Sequence, residues 1–281
     1  MSFQEGIRLS APIVLAHGLF GFERIGLGRL TLARYFRGIP EYLEALGNRV
    51  LVTRVHPLAG IGRRAEILAR RISQRFPSEP VHLIGHSMGG LDARSLLALP
   101  GWPSRVLSLT TIATPHLGSP LADLAKLQVG RVYDLLSKFE VDHDGFRDVT
   151  RRVARAFHRS HAKPPGVACF SVAGAPEPGN VCMPLRRLHE VLEKIEGPND
   201  GLVSVASATA FGTPLRAWPF DHLRQVNWFL PRAGGMLDPA IALCYRNILM
   251  NLATQGFGEV RDAVPILTSA QSPLTSLAVE S

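Results

Sequence analysis

The chain has 281 residues, 46% of them hydrophobic and 19% charged, which excludes a disordered or fibrous chain and allows a core hiding about 75% of the unfolded surface. Its 31 Lys and Arg against 23 Asp and Glu give a net charge of +8, which would suit an anionic partner. The arginines recur along the whole chain, and the densest group, Arg63, Arg64, Arg70, Arg71 and Arg75, has no aromatic nucleic-acid signature beside it, so it reads as a solvated helix face and excludes nucleic acid as a partner.

The opening MSFQEGIRLSAPIVLAHG lacks a basic n-region followed by a long apolar h-region, so no signal peptide is expected. No run of about 18 uncharged apolar residues occurs, so no transmembrane segment is expected and a cytoplasmic protein is the default. Apolar runs that read as buried parallel strands then follow in order: PIVLAH (12–17), RVLVTRV (49–55), VHLIG (81–85), RVLSLTTIA (105–113) and VACFSVAG (167–174). Between them lie the helical patterns YFRGIPEYLEALG, RRAEILARRISQRF and MGGLDARSLLAL, the last stopped by Pro100 and Gly101. This alternation predicts an α/β fold, one domain over 1–281 with a mostly parallel central sheet flanked by helices.

Residues 119–165 far exceed the usual connection of about 2 to 6 residues between a strand and a helix. Their amphipathic patterns LADLAKLQ, VYDLLSKF and VTRRVARAFHR predict a helical insertion placed to act as a lid. After Gly201, LVSVAS reads as a short strand, AWPFDH ends a loop, and DPAIALCYRNILMNLA is a closing helix; from Val264 to Ser281 the chain lacks periodicity and reads as a mobile tail. Cys169, Cys182 and Cys244 cannot all pair and have no metal-ligand spacing, so free thiols, no metal and no cofactor are expected.

Gly85-His86-Ser87-Met88-Gly89 is a G-x-S-x-G directly after a strand and directly before a helix, the context that a nucleophile elbow requires. The pentapeptide alone is weak evidence; its placement is what carries weight. His17-Gly18-Leu19-Phe20-Gly21 follows the first strand, where this topology places a loop donating one backbone N–H to an oxyanion hole. The Leu19 and Met88 amides are the expected pair, Met88 because the first amides of a helix lack intrahelical partners.

A serine nucleophile needs a base, and the chain order serine, acid, histidine confines it to His189 or His222. His189 lies within the helical pattern PLRRLHEVLEKIEG, where a partly exposed histidine is the simpler reading, whereas His222 lies in a loop after Asn199-Asp200-Gly201. Asp200 is the preferred acid. Asp221 ranks second, because neighbouring side chains rarely reach each other's ring nitrogens, and Glu196 third.

PIVLAHGLFGF, HLIGHSMGG, IATPHLGSPLAD, NDGLVSVASA and FDHLRQVNWF, in this order, resemble the bacterial family I true lipases and their lipase-like relatives. The resemblance runs from Pro12 to Asn227, without most of the insertion and the tail. It implies an α/β-hydrolase fold, triad roles for Ser87, Asp200 and His222, an oxyanion hole at Leu19 and Met88, a lid, and a pocket-forming loop at 114–119, whose Pro115 and Gly118 serve equally well to shape a strand exit. Typical secreted members also have a disulfide and a calcium ligand two residues after the catalytic histidine; here that residue is Arg224, so neither is carried over. An ion pair from Arg224 to Glu196 or a nearby carboxylate is one reading of that change, a solvated arginine the other.

The resulting expectation is a lipase-like serine hydrolase acting on small-molecule or lipid esters, with Phe20, Phe22, His86 and Leu117 as candidate substrate-binding residues. Transient contact with a lipid interface is compatible with the positive charge. The alternatives are a short-chain esterase, thioesterase or acyltransferase with the same triad, and a non-catalytic binding protein on the same fold.

Overall fold

A computed structural model of the chain describes residues 3–18, 25–27, 30–33, 35–124, 144–228 and 236–265. Its centre is a parallel sheet of six strands, β2 (Ile13–Ala16), β5 (Val50–Val52), β6 (Val81–His86), β7 (Val106–Ile112), β8 (Ala168–Val172) and β9 (Thr213–Pro214), in the order β5-β2-β6-β7-β8-β9. Two separate two-stranded sheets are formed by β1 (Phe3–Leu9) with β10 (Gly258–Pro265) and by β3 (Ile25–Leu27) with β4 (Leu30–Ala33).

The strands read as unbroken apolar runs because both faces of the sheet are covered. In β2, Ile13 and Leu15 join Ile84, Ile112 and Val172 in the core beneath the helices α1 (Ile39–Ala45) and Pro239–Leu252. Val14 and Ala16 point the other way, with Leu83 and Leu109, into the core beneath α2 (Ile61–Arg75) and α3 (Met88–Leu97). On α2 the buried Ile61, Ala65, Leu68 and Ile72 recur at helical spacing. Arg63, Arg70, Arg71 and Arg75 are exposed on it, as a solvated face requires, but Arg64 is fully buried.

Three local readings change. The stretch 202–207 is no strand: Ser204 accepts a hydrogen bond from the Ser207 amide and caps the helical turn Val205–Ala208, so a local cap overrides an apparent period of two. The chain from Val264 is not wholly a tail, because β10 runs to Pro265 and pairs antiparallel with β1; residues 266–281 lie outside the described residues. In the insertion, residues 120–124 and Arg151–Ser160 are helical, while VYDLLSKF falls within 125–143, outside the described residues. Cys169, Cys182 and Cys244 are free thiols, each raised to about 11 chiefly by burial. Among the described residues no helix is long and apolar enough to cross a membrane.

Candidate active site

The strands β6, β8 and β9 all end at one edge of the sheet, and the residues singled out by the motifs lie in the loops that leave it. Ser87 has φ 56° and ψ −131°, a backbone region that non-glycine residues adopt only under constraint. The constraint is visible in its neighbours. A Cβ at Gly85 would lie 2.7 Å from Gly90, one at Gly89 2.2 Å from the Ala16 carbonyl, and one at Gly90 2.1 Å from Thr114 Oγ1. The Ser87 amide donates to the Ile112 carbonyl at 2.8 Å, so the turn is tied to β7 as well. The Ser87 hydroxyl makes no capping bond to α3. Gly90 was not among the candidate residues, although its size matters as much as that of Gly85 and Gly89.

Asp200 and His222 come together from different loops. His222 Nδ1 donates to Asp200 Oδ2 at 2.8 Å, and the His222 amide donates to the Asp200 carbonyl at 2.9 Å. The other carboxylate oxygen, Oδ1, accepts from the Leu202 and Val203 amides at 3.0 and 2.8 Å. Both side chains are buried. The His222 ring stands 4.6 Å, centroid to centroid, from that of His86, the residue preceding Ser87, which places the pair beside the elbow. The lead-in is set by the sheet: Trp218 exchanges backbone bonds with Ala173 and Ala175 at the end of β8.

The other candidates are placed elsewhere. Asp221 is buried, but its oxygens accept from the Cys182, Leu223 and Arg224 amides at 2.9, 3.1 and 3.0 Å, so it braces the histidine loop. His189 is buried within the helix Arg186–Glu196 rather than partly exposed. Glu196 accepts from the Ser204 hydroxyl at 2.6 Å and is not the partner of Arg224. Arg224 instead lies 3.5 Å from Asp221 and donates to the Asn180 carbonyl.

His86 is fully buried, with its ring nitrogens engaged by Tyr35 and Gln225, and so lies behind the site rather than on an open acyl-chain surface. Leu117 is half-buried and its amide donates to Ser207 Oγ at 3.1 Å. It belongs to a packed loop in which a Cβ at Gly118 would lie 2.6 Å from Arg151. Leu19, Phe20 and Phe22 lie outside the described residues. Met88 is the first residue of α3 and is buried.

The loop leading to Leu19 is anchored by Arg64, which is buried and not on the solvated face expected of it. Arg64 donates to the His17 carbonyl at 2.7 Å, the Gly18 carbonyl at 3.2 Å and the His56 carbonyl at 2.8 Å, while its Nε faces both Asp92 oxygens at 3.1 and 2.9 Å. Burial pushes the Asp92 carboxyl up to about 6 although Arg64 attracts its charged form. Gly18 lies against the nucleophile loop, since a Cβ there would meet Ser87 Cβ at 2.7 Å. One buried cation thereby ties this loop to α2 and α3. Nothing in the sequence separates Arg64 from its exposed neighbours except its register with Ile61 and Leu68.

The fold and this arrangement define an α/β-hydrolase. Residues 61–154 match the family described as PGAP1-like alpha/beta domain. Triacylglycerol lipase 2 of Saccharomyces cerevisiae is 31% identical over 268 residues, covering 77% of this chain and 80% of the yeast protein. The triacylglycerol lipase of Pseudomonas fragi is 35% identical over 126 residues, 44% of this chain and 41% of that lipase. A metagenomic carboxyl esterase of known structure shares the fold, with a TM-score of 0.69 over 88% of this chain and 76% of the esterase at 21% identity. The chain belongs to the lipase family of carboxylic ester hydrolases.

Arg224 stands where the family resemblance implies a calcium ligand in typical secreted members. Its guanidinium is packed beside Asp221, whose oxygens already accept from three amides, and a guanidinium has no lone pair for a hard cation. EDTA is therefore expected to leave activity and Tm unchanged; a loss restored by Ca²⁺ and not by Mg²⁺ would contradict this.

Four buried histidines should make the fold less stable in acid. His17 and His82 are lowered from 6.5 to about 4, each chiefly by burial, and His86 and His116 are held well below 6.5 for the same reason. As pH falls from 6.5, the unfolded chain gains protons at these imidazoles before the folded chain does, so stability falls with pH down to about 4. Asp92 opposes this, because its folded carboxyl takes up a proton near 6 rather than 3.8, but it is one group against four. Tm should decline steadily from pH 6.5 to 4; a flat or rising Tm over that range would show that these histidines are not buried neutral.

Proposed function

We propose that the chain hydrolyses esters of apolar acyl chains, triacylglycerols among them, through an acyl-enzyme on Ser87. The observation that carries this reading is the 2.8 Å bond from His222 Nδ1 to Asp200, set beside a serine held in a strained turn. With Nδ1–H given to the carboxylate, His222 Nε2 is left with a lone pair and serves as general base. It takes the Ser87 proton as Oγ attacks the ester carbonyl. The Met88 amide, at the head of α3, supports the developing oxyanion together with the Leu19 amide. His222 then returns the proton to the departing alcohol and activates the water that releases the acid. Asp200 keeps its charge throughout and stabilises the imidazolium.

The variants follow from these roles. Ser87→Ala, His222→Ala and Asp200→Asn should each lower kcat by about 10⁴-fold, with little change in Tm for the serine variant. Asp221→Asn should behave in the opposite sense. It turns one carboxylate oxygen into an NH₂, so the amides of Cys182 on one side and of Leu223 and Arg224 on the other can no longer all be accepted, and Tm falls while kcat at low temperature drops by less than about tenfold. Comparable kinetic losses at Asp221 and Asp200 would overturn the choice of acid.

Residues 119–165, after β7, are proposed as a lid, a reading supported by the long connection and the amphipathic helix Arg151–Ser160. Nitrophenyl esters from C2 to C16 and emulsified triglyceride separate the possibilities. Preference for long chains, with a jump in rate once emulsion forms, is expected of a lidded lipase. Preference for C2 to C4 without that jump would make the protein a short-chain esterase with the same machinery.

A further inference from the structure

Behind the His222–Asp200 pair lie the buried His86 and Gln225 and the half-buried Tyr35, side chains that the hydrolysis described above does not use. Their hydrogen bonds can be oriented by elimination. The Gln225 amide nitrogen is 3.2 Å from Asp200 Oδ2 and 3.1 Å from the Phe220 carbonyl. Both are acceptors, so this end of the amide is the NH₂, and the end 3.0 Å from His86 Nε2 is the oxygen. His86 therefore carries its proton on Nε2 and donates it to Gln225. Its Nδ1 is left to accept from the Tyr35 hydroxyl at 2.7 Å, and Tyr35 is hydrogen-bonded in turn to the backbone of Gly18. One continuous chain of bonds thus runs from the loop before Leu19 through Tyr35, His86 and Gln225 to Asp200 and His222.

The site is built to hold this glutamine. A Cβ at Gly174 would lie 2.1 Å from Gln225 Nε2, so only glycine leaves room for the amide. The Gln225 backbone is fixed at both ends, its amide donating to the Asp221 carbonyl at 3.2 Å and its carbonyl accepting from the Tyr245 hydroxyl at 3.3 Å. Gln225 and His86 are both fully buried.

We infer that Gln225 is a positioning residue for the reaction: it gives an N–H to the same Asp200 oxygen that receives His222 Nδ1–H, and it locks His86 in the Nε2–H form, so that of the two adjacent imidazoles His222 alone takes up a proton during turnover. This inference rests on the triad reading above. Its physical basis is the 4.6 Å separation of the two rings. A proton on His86 would repel the imidazolium that must form on His222, and burial and His222 together hold His86 well below its ordinary value. An amide supplies both orientations without adding a charge. The titratable groups facing the chain of bonds are Asp200 and His222 at one end, Tyr35 with His17 and Arg64 near it at the other, and Tyr245 beneath Gln225.

Two measurements test it. In the unaltered protein with ¹⁵N-labelled histidine, NMR should show His86 as the neutral Nε2–H tautomer throughout pH 5 to 8; an Nδ1–H tautomer, or titration within that range, would overturn the proposal. In the second, kcat/KM against pH is compared for the native enzyme, Gln225→Glu and Gln225→Met with a soluble nitrophenyl ester. The glutamate removes the N–H to Asp200 and places a second carboxylate beside the base, so the acid limb should move up by about one pH unit. The methionine should lower kcat by about 10- to 100-fold with KM within about twofold. An acid limb unmoved in Gln225→Glu, or kcat unchanged in Gln225→Met, would refute it. Full activity in Ser87→Ala or His222→Ala would instead remove the triad reading itself, so the two failures are distinct.

Discussion

The backbone of Ser87, at φ 56° and ψ −131°, is held where a side chain is ordinarily excluded, and the surrounding structure is arranged to make that possible. Such a conformation costs on the order of 1–3 kcal/mol, and it persists because β6 and α3 are fastened on either side of it. The fastening depends on absent side chains. Gly85 against Gly90, Gly89 against Ala16 and Gly90 against Thr114 leave no space for a methyl group at any of these glycines. The turn can then tighten until α3 points its first amides at the space in front of the serine.

The same edge of the sheet solves an electrostatic problem. Three carboxylates, several imidazoles and a guanidinium are all buried there, and each is kept by specific partners rather than by water. Asp200 has both oxygens committed, to His222 and Gln225 on one side and to the Leu202 and Val203 amides on the other. Arg64 is neutralised by Asp92 and spends its remaining donors on three carbonyls, two of them in the loop before Leu19. The charge is thereby fixed before any substrate enters, which is what allows it to be effective without reorganisation.

What could be read from the sequence follows the same physics. The strands at 12–17, 81–85 and 105–113 were legible because a sheet covered on both faces produces unbroken apolar runs, and Ser87 because its glycines flag a close approach. The expected strand at 49–55 shrinks to Val50–Val52, which lies half-buried at the sheet edge and gains less from burial. The 202–207 stretch misled because Leu-Val-Ser-Val-Ala-Ser fits a period of two, while the deciding interaction, the Ser204 cap, is invisible to periodicity. The pairing of β1 with β10 joins segments about 250 residues apart in the chain, and no local pattern reports it. Asp200 and His222 could be chosen from chain order, but Tyr35 and Gln225 could not, since they become adjacent to His86 only once the loops have closed.

The central claim is that Ser87 is the nucleophile and that His222 makes it one. Reaction of the native protein with a fluorophosphonate, followed by intact-mass and peptide mass spectrometry, addresses both halves together. The account predicts one adduct per chain, on the peptide containing Ser87, formed at a rate that collapses in His222→Ala. An adduct on a different residue, or Ser87 labelled as fast without His222 as with it, would contradict the account.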